Sequence, residues 1–261
     1  MRDTPCMALS AVCTGGGSGI GRATSLALAA RGARVMVGDI DREGAEETVR
    51  LVERGGGIAR SAHVDVSDEG EVERFMAAAV AAHGPLDCAA NVAGTHAGLG
   101  ALTADVQAGD FDRQIAVNLR GMWLCVRSEL RSMLASGGGA IVNVSSVNGL
   151  TAAEQGLPYA VAKHGILGLT KTAAVEYART GVRVNAVAPG LVDTPLTARM
   201  WDLVESDDRE GAERELLASI PAGRMATAAE VAEGIAWLCT DAPAYLTGAT
   251  LVIDGGVLVR G

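Results

Sequence analysis

Aromatic residues and long apolar runs are both scarce in this chain. Phe, Trp and Tyr make up 3% of its 261 residues, so aliphatic side chains must supply most of the core. No stretch reaches the roughly 18 consecutive apolar residues that indicate a membrane-spanning helix. Residues 1–6 also lack the charged and apolar regions of a secretory signal peptide. We therefore expect a cytoplasmic protein with no membrane partner.

Basic residues are in the minority as well. The 22 Lys and Arg stand against 31 Asp and Glu, which gives a net charge of −9. No concentrated stripe of Lys or Arg offsets this balance, so nucleic acid and anionic membrane surfaces are unfavourable partners.

Paired cysteines are missing too. The cysteines are odd in number and scattered, and no Cys-x-x-Cys occurs, so we expect buried free thiols rather than a metal site or disulfides. They are Cys6, Cys13, Cys88, Cys125 and Cys239. A reducing compartment fits this usage.

Glycine, in contrast, is plentiful, with 34 residues, and five of them lie within residues 15–21. A short apolar strand over residues 8–13 is followed by Thr14-Gly15-Gly16-Gly17-Ser18-Gly19-Ile20-Gly21 and then by an Ala/Leu-rich helix over 22–30. Glycines let a backbone approach a pyrophosphate, and a helix start presents unpaired N–H groups. The strand–loop–helix context therefore predicts a dinucleotide-binding loop, although a glycine loop alone could be only a tight turn.

Asp39 ends the second predicted strand, which covers residues 34–38. A carboxylate at this position binds the adenosine ribose hydroxyls and repels a 2′-phosphate, so NAD is expected rather than NADP. The alternative is a turn Asp before the helix that starts near Asp41. Arg42 is the nearby basic residue that could soften the preference.

Strands and helices alternate along the rest of the chain, which predicts parallel strands joined by right-handed crossovers. We predict an α/β protein: a single-domain, Rossmann-like, doubly wound sheet of about seven parallel strands with helices on both faces. The predicted strands are 8–13, 34–38, 58–64, 85–90, 140–144, 182–188 and 250–254, and the domain covers 1–261. A polar, less regular segment at about 190–220 is predicted to be a substrate lid.

One long amphipathic helix is predicted over residues 110–135, and Asn118 lies inside it between apolar neighbours. Asn is a poor residue for a helix interior. The choice is between an exposed polar position and a buried Asn that binds a water or a freed carbonyl, and the apolar neighbours favour the second.

Tyr159 and Lys163 lie four residues apart and so share one face of the helix predicted over 157–178. An ammonium beside a phenol favours the phenolate and lowers the tyrosine pKa. Ser146, at the end of the preceding strand, could hold a carbonyl or alcohol oxygen against that phenol. Alone, the spacing is equally consistent with a packed Tyr and a solvated Lys.

Taken together, these motifs resemble the short-chain dehydrogenase/reductase family over essentially the whole chain. Each motif alone is unspecific, but all of them in this order and spacing are strong evidence for the resemblance. The family places its serine thirteen residues before its tyrosine, which selects Ser146 over Ser145. The Asn-Val-Ala-Gly after the fourth strand varies the usual Asn-Asn-Ala-Gly. The matching pieces are Thr14-Gly15-x-x-x-Gly19-x-Gly21, Asp39, Asp65-Val66, Asn91-x-Ala93-Gly94, Asn118, Ser146, Tyr159-x-x-x-Lys163, Pro189-Gly190 and Thr194.

The resemblance implies four catalytic residues. Tyr159 would act as general acid/base toward the substrate oxygen. Lys163 would lower the pKa of Tyr159 and hold the nicotinamide ribose, and Ser146 would orient the substrate oxygen. Asn118 would hold a water in a proton relay.

It also implies an NAD site and, by the family's commonest assembly, a homotetramer. Adenine would meet Asp65 and Val66, the adenosine side Asn91 and Gly94, and the carboxamide Val192 and Thr194. The full expected cofactor set is Gly15, Gly17, Ser18, Gly19, Ile20, Gly21, Asp39, Ile40, Asp65, Val66, Asn91, Ala93, Gly94, Tyr159, Lys163, Pro189, Gly190, Val192 and Thr194. No metal is expected.

The expected function is therefore hydride transfer between NAD(H) and a secondary alcohol or ketone. An NADPH-dependent 3-oxoacyl-carrier-protein reductase shares the motifs but favours basic residues where Ser18 and Asp39 stand. A non-catalytic nucleotide-binding protein is a third alternative, which the intact Tyr159 and Lys163 disfavour.

The substrate itself is left open among a sugar, a steroid and a cyclohexanediol. The few charges among the pocket candidates favour a neutral alicyclic or aromatic-ring compound. These candidates are His96, Asn148, Glu154, Gln155, Met200, Trp201 and Leu203, and for His96 a surface-loop position is the simpler interpretation.

Overall fold

Parallel strands form the centre of the computed structural model, which describes residues 8–199 and 209–260. The strands of these ranges are β1 (Ser10–Thr14), β2 (Arg34–Asp39), β3 (Ile58–His63), β4 (Cys88–Asn91), β5 (Gly139–Val144), β6 (Val182–Pro189), β7 (Val192–Asp193), β8 (Ala226–Thr227) and β9 (Thr250–Ile253). Seven of them make one parallel sheet in the order β3-β2-β1-β4-β5-β6-β9, and β7 pairs with β8 apart from it.

Helices cover both faces of this sheet. They are α1 (Gly19–Ala30), α2 (Arg42–Arg54), α3 (Glu69–His83), α4 (Ala108–Ile115), α5 (Met122–Ser136), α6 (Leu157–Tyr177), α7 (Pro195–Ala198), α8 (Arg209–Ser219) and α9 (Ala228–Thr240). One buried core joins the sheet to α1, α2 and α9, and a second joins it to α3, α5 and α6. Successive strand residues alternate between the two, as with Cys13 in the first and Val12 in the second. The predicted doubly wound fold is confirmed.

Polar caps fix where several helices begin. Asp41 accepts the Gly44 N–H at 3.1 Å at the start of α2, and Asp68 accepts the Glu71 N–H at 2.8 Å at the start of α3. Such a cap contributes about 1 kcal/mol. The cap of α2 is therefore Asp41 and not Asp39, which leaves the Asp39 carboxylate for another role.

The prediction of one continuous helix over 110–135 is wrong in one respect. It runs from Ala108 to Ser136, but a π turn over Ala116–Gly121 separates α4 from α5. Tertiary contacts hold this turn in place: Asn118 is hydrogen-bonded to Thr95, and a Cβ at Gly121 would lie 2.9 Å from a Val66 methyl. Such turns are frequent at functional sites.

The lid segment also differs from its prediction. The sequence predicts a less regular segment there, and the structure has α7, α8 and the strand β7 within it. The strands β7 and β8 are not predicted, because two-residue strands carry no periodic signal. Its function as a lid stays a prediction, and Met200, Trp201 and Leu203 lie outside the described residues.

The buried thiols are confirmed for Cys13, Cys88, Cys125 and Cys239, and Cys6 lies outside the described ranges. Among the helices of the described part of the chain, none combines the length and apolarity needed to cross a membrane.

The strand order creates a possible binding site at the carboxyl ends of the strands. β1 lies between β2 and β4, so the connections leave β1 and β4 in opposite directions and open a crevice at their carboxyl ends. Ligands of open α/β sheets bind in such a crevice. The glycine loop, Asp39, Asn91 and Ser146 all follow or end strands at this edge.

Candidate active site

The glycine loop is built so tightly that side chains do not fit. Gly15 has φ +69°, and a Cβ there would lie 2.7 Å from the Cα of Ala93. A Cβ on Gly21 would lie 1.9 Å from the Gly15 carbonyl oxygen. Ser18 precedes α1 and makes no capping hydrogen bond, so the helix start keeps its N–H groups for another partner. This cradle fits a pyrophosphate.

Asp39 closes the loop from the side of β2. Its carboxylate accepts the Gly17 N–H at 2.8 Å and the Asp41 N–H at 2.9 Å. Ile40, the next residue, is 64% exposed, as expected of a side chain that an adenine ring would cover. The structure therefore puts Asp39 and Ile40 beside the loop, where the sequence predicted them.

Arg22, which the sequence analysis missed, supports the loop from behind. Its guanidinium donates to the Gly17 carbonyl and to the Thr48 hydroxyl, the latter at 3.1 Å. Thr48 in turn donates to the Gly16 carbonyl at 2.8 Å. The only signal in the sequence for this supporting role is that an Arg directly follows Gly21 at the start of a helix.

The residues after β3 lie along the same crevice. Asp65 accepts the Ser67 N–H and hydroxyl, and Val66 is buried against Gly121 of the π turn. Their predicted contact with adenine stays a prediction.

Asn91 ends β4, but its side chain turns away from the crevice. Its amide nitrogen donates to the Glu129 carboxylate at 2.9 Å and to the Asn143 oxygen at 3.0 Å, and Asn143 donates to Thr170 at 3.0 Å. All four side chains are buried. The predicted cofactor contact of Asn91 therefore stays a prediction, since its side chain is engaged elsewhere. Burial raises the pKa of Glu129 to about 8, against an opposing hydrogen bond from Asn91.

Asn118 and Gln114 bind the loop after β4. Asn118 accepts the Thr95 N–H at 2.8 Å and donates to the Thr95 carbonyl at 3.0 Å. Gln114 accepts the Ala97 N–H at 2.7 Å and donates to the Thr95 carbonyl at 2.9 Å. The prediction that Asn118 is buried is confirmed. Its side chain is bonded to Thr95, and the predicted role of Asn118 in holding a water of a proton relay stays a prediction.

The two adjacent serines have different surroundings. The Ser145 hydroxyl donates to the Lys163 carbonyl at 2.8 Å and so ties β5 to α6. The Ser146 hydroxyl accepts the Asn148 N–H at 3.1 Å, and hydrogen bonding by Ser146 acts to lower the pKa of Tyr159. Only Ser146 is thus directed at the tyrosine, as the family spacing predicted.

Tyr159 and Lys163 share one face of α6, with the Lys163 Nζ 5.3 Å from the centre of the tyrosine ring. Burial raises the pKa of Tyr159 to about 12, and the hydrogen bond with Ser146 opposes this. Burial also lowers the pKa of Lys163 to about 8. The Lys163 ammonium donates to the Val144 carbonyl at 2.9 Å. The predicted lowering of the Tyr159 pKa by Lys163 stays a prediction.

His96 is a partly buried neighbour of the tyrosine, not a surface-loop residue. Its ring meets that of Tyr159 edge-on, with centroids 4.6 Å apart and planes at 87°. Burial lowers the pKa of His96 to about 4, and the charges of Lys163 and Arg199 contribute. The imidazole is therefore neutral at physiological pH.

The chain after β6 completes the crevice. Gly190 donates its N–H to the Ile253 carbonyl at 2.9 Å, and a Cβ there would lie 2.9 Å from the Cα of Asp254. Thr194 caps α7 and lies beside Gly19 of the loop. Pro189 ends β6, and Val192 is buried in β7. The structure brings these predicted residues together with the loop.

The other pocket candidates are less specific. The Gln155 carbonyl accepts the Gly100 N–H at 3.0 Å, Asn148 is half-buried, and Glu154 is exposed. Within residues 8–199 and 209–260, no group of three or more His, Cys, Asp or Glu side chains could hold a metal ion.

Comparisons with known proteins agree with this geometry. The family described as "Enoyl-(Acyl carrier protein) reductase" matches residues 15–258. The cis-4-hydroxycyclohexanecarboxylate dehydrogenase of Sinomonas cyclohexanicum is 44% identical, over 94% of this chain and 95% of its own. The cyclohexanol dehydrogenase of Acinetobacter sp. (strain SE19) is 37% identical, over 94% and 93%.

Solved structures agree as well. Levodione reductase superposes with a TM-score of 0.93 at 35% identity, covering 96% of this chain and 98% of its own. A single-residue variant of the actinorhodin polyketide ketoreductase, with NADPH, gives 0.91 at 34%, covering 96% and 97%. The dinucleotide cradle, the Ser–Tyr–Lys cluster and these relatives lead to one conclusion: the chain belongs to the short-chain dehydrogenase/reductase family of oxidoreductases.

Proposed function

We propose that this protein is an NAD(H)-dependent dehydrogenase of ring-bearing secondary alcohols, or the reductase of the matching ketones. The observation that carries the proposal is the placement of Ser146, Tyr159 and Lys163 at the strand edge that also holds the glycine cradle. An acid–base pair and a dinucleotide cradle in one crevice supply the two halves of an alcohol oxidation.

The chain's own residues would manage the substrate oxygen and its proton. When bound, the nicotinamide cofactor supplies the acceptor or donor of the hydride. Ser146 hydrogen-bonds the substrate oxygen and fixes it near the Tyr159 hydroxyl. Tyr159 takes the alcohol proton in oxidation and returns it in reduction. Lys163 is buried beside the phenol, and when it is protonated its positive charge favours the phenolate.

The preference for NAD over NADP is proposed from Asp39. Its carboxylate already stands 2.8 Å from the Gly17 nitrogen, at the position where an adenosine ribose would be held. A 2′-phosphate at this place would meet a like charge. Arg42 is exposed at the start of α2 and is the nearby cation that could weaken the discrimination.

A ring-bearing substrate is proposed from the relatives. Two of them are named for cyclohexane alcohols, and both align over more than nine-tenths of the chain. The residues that would contact such a ring include His96, which stands edge-on to Tyr159.

A homotetramer is proposed for the assembly. The helices α5 and α6 expose Trp123 and Val175, which are 42% and 80% accessible, on surfaces that a partner would cover. Light scattering of the purified protein would give the mass directly; a monomer would contradict this part of the proposal.

One observation favours a second function, an NADPH-dependent acyl-carrier-protein reductase. The ketoreductase that superposes at a TM-score of 0.91 carries NADPH, and the matching family is described as an acyl-carrier-protein reductase. Asp39 argues against it, because a site for NADPH needs a cation there.

Steady-state kinetics tests the proposal in both directions. Oxidation of cyclohexanol is measured with NAD⁺ and NADP⁺, and reduction of a 3-oxoacyl thioester is measured with NADH and NADPH. We expect NADH formation from the alcohol, and a kcat/KM for NAD⁺ at least about tenfold above that for NADP⁺. Asp39→Ser should narrow this ratio, and Asp41→Ser, which keeps a cap on α2, should not. Reduction of the thioester with a preference for NADPH over NADH would support the second function instead.

A further inference from the structure

The loop that carries His96 is fixed on both sides of that residue. Asn118 and Gln114, which are both fully buried, make four hydrogen bonds to the backbone of Thr95 and Ala97. The imidazole is therefore a prepositioned group in the wall of the crevice, and little ordering entropy is lost when it binds something.

The imidazole also has unused hydrogen-bonding capacity. Its Nδ1 is buried and has no hydrogen-bond partner among the described residues. A neutral imidazole offers one N–H donor and one acceptor nitrogen. A buried polar atom without a partner is costly, so a position of this kind, next to the Tyr159 ring, favours a polar ligand.

The charges that act on His96 are both positive. They belong to Lys163 of α6 and to Arg199, which directly follows α7. Lys163 is buried and bonded to Val144. Arg199 is exposed and forms no ion pair with any residue in 8–199 or 209–260. An exposed guanidinium whose charge acts on a neutral donor is a suitable partner for a carboxylate.

We infer that the natural substrate is a hydroxy acid whose carboxylate binds Arg199 and accepts a hydrogen bond from His96, while its alcohol oxygen meets Ser146 and Tyr159. This inference rests on the proposed function and makes the substrate more specific. It departs from the neutral compound expected from the sequence, which weighed the apolar lid residues and left Arg199 out.

Binding tests the inference without requiring turnover. Calorimetric titration of the full-length protein with saturating NADH would compare two matched ligands, cyclohexanecarboxylate and cyclohexanecarboxamide. We expect the acid to bind about tenfold more tightly than the amide, as a charge-assisted hydrogen bond predicts. Arg199→Gln should abolish the difference, and Arg199→Lys should keep part of it.

Kinetics then separates substrate recognition from folding. With cis-4-hydroxycyclohexanecarboxylate, Arg199→Gln should raise KM about tenfold and leave kcat within about twofold, while KM for the methyl ester stays unchanged. His96→Phe, which keeps a ring against Tyr159, should raise KM for the acid as well. The matched control is Arg179→Gln, an exposed Arg after α6, which should change neither substrate's constants.

Equal binding of acid and amide by the wild-type protein would overturn the inference, and so would an acid preference that survives Arg199→Gln. If cyclohexanol and the ester are oxidised with no preference for the acid, the inference fails while the proposed function stands. If the acid is preferred in binding but no alcohol is oxidised, the anion site stands and the proposed function fails.

Discussion

Two polar clusters lie about the middle of the sheet, and they are organised in opposite ways. The first, which we term the closed network, consists of Asn91, Glu129, Asn143 and Thr170, and its members bond chiefly to one another. The second, the open cluster, consists of His96, Ser146, Tyr159 and Lys163, and it lines the crevice.

This difference separates structural from chemical roles. In the closed network, hydrogen bonds join strands β4 and β5 to helices α5 and α6 and so support the sheet, and Asn91 Oδ1 and Glu129 Oε1 are left without a partner among the described residues. In the open cluster, the His96 Nδ1 has no partner among the described residues and its ring lies beside Tyr159 at the crevice, so this cluster keeps capacity for a ligand. Substitutions in the first should change mainly stability, and substitutions in the second mainly activity.

The largest expected effect comes from Tyr159→Phe in the open cluster. Removal of the acid–base hydroxyl should lower kcat for alcohol oxidation by about 10²–10⁴-fold, while the unfolding midpoint stays near that of the wild type. Steady-state assays measure the kcat, and thermal unfolding measures the midpoint. Tyr177→Phe, at the other end of α6, is the control and should keep its activity.

The next largest effect concerns Glu129 in the closed network. Its pKa is about 8 in the fold against a usual 4.5, so it stays protonated while the unfolded chain ionises. Stability should therefore fall as pH rises from about 4.5 to about 8 and level off above. The loss is roughly 5 kcal/mol at most, since one pKa unit corresponds to about 1.36 kcal/mol.

Glu129→Gln, which is neutral at every pH, should remove this dependence. Chemical denaturation near pH 4.5 and near pH 8 measures it, with the exposed Glu46→Gln as control. We expect the variant to gain a few kcal/mol over the wild type at the higher pH and almost nothing at the lower. The same pH dependence in both proteins would show that Glu129 is not buried in its neutral form.

Gln114→Met should change both stability and activity, because Gln114 is buried and also holds the loop that carries His96. The Ala97 N–H loses its partner, which should cost about 1–3 kcal/mol. The loosened His96 loop should also raise KM for the substrate. Urea unfolding and kinetics are the measurements, and Gln107→Met at the exposed start of α4 is the comparison.

The smallest expected effect is the loss of stability in Ser145→Ala, and comparison with Ser146→Ala distinguishes the neighbouring serines. Ser145→Ala removes one hydrogen bond to the Lys163 carbonyl and should cost about 1 kcal/mol of unfolding free energy with activity largely kept. Ser146→Ala should show the reverse, with near-normal stability and a clear loss of kcat. If Ser145→Ala proved to be the inactive variant, the assignment of the two clusters would be wrong.

The sequence predicted what is encoded locally. A glycine loop between a strand and a helix, an Asp at a strand end and a Tyr-x-x-x-Lys spacing are all short-range patterns. Their order along alternating strands and helices determined the sheet and the edge on which Asp39, Ser146 and Tyr159 meet.

It did not predict contacts between distant residues. Asn91 and Glu129 are 38 residues apart, and Arg22 and Thr48 are 26 apart, so no local pattern links them. The π turn around Asn118 depends on its bonds to Thr95, and the burial of His96 depends on Tyr159. In each case tertiary packing, not local propensity, decided the outcome.

Transfer of deuterium tests the central claim most directly. The protein would be incubated with NAD⁺ and cyclohexanol deuterated at the carbinol carbon, and the reduced cofactor would be analysed by mass spectrometry. Our account predicts deuterium on the nicotinamide with the wild-type protein and almost none with Tyr159→Phe. Binding of NAD⁺ without deuterium transfer from this or any other secondary alcohol would contradict it and indicate a nucleotide-binding protein without turnover.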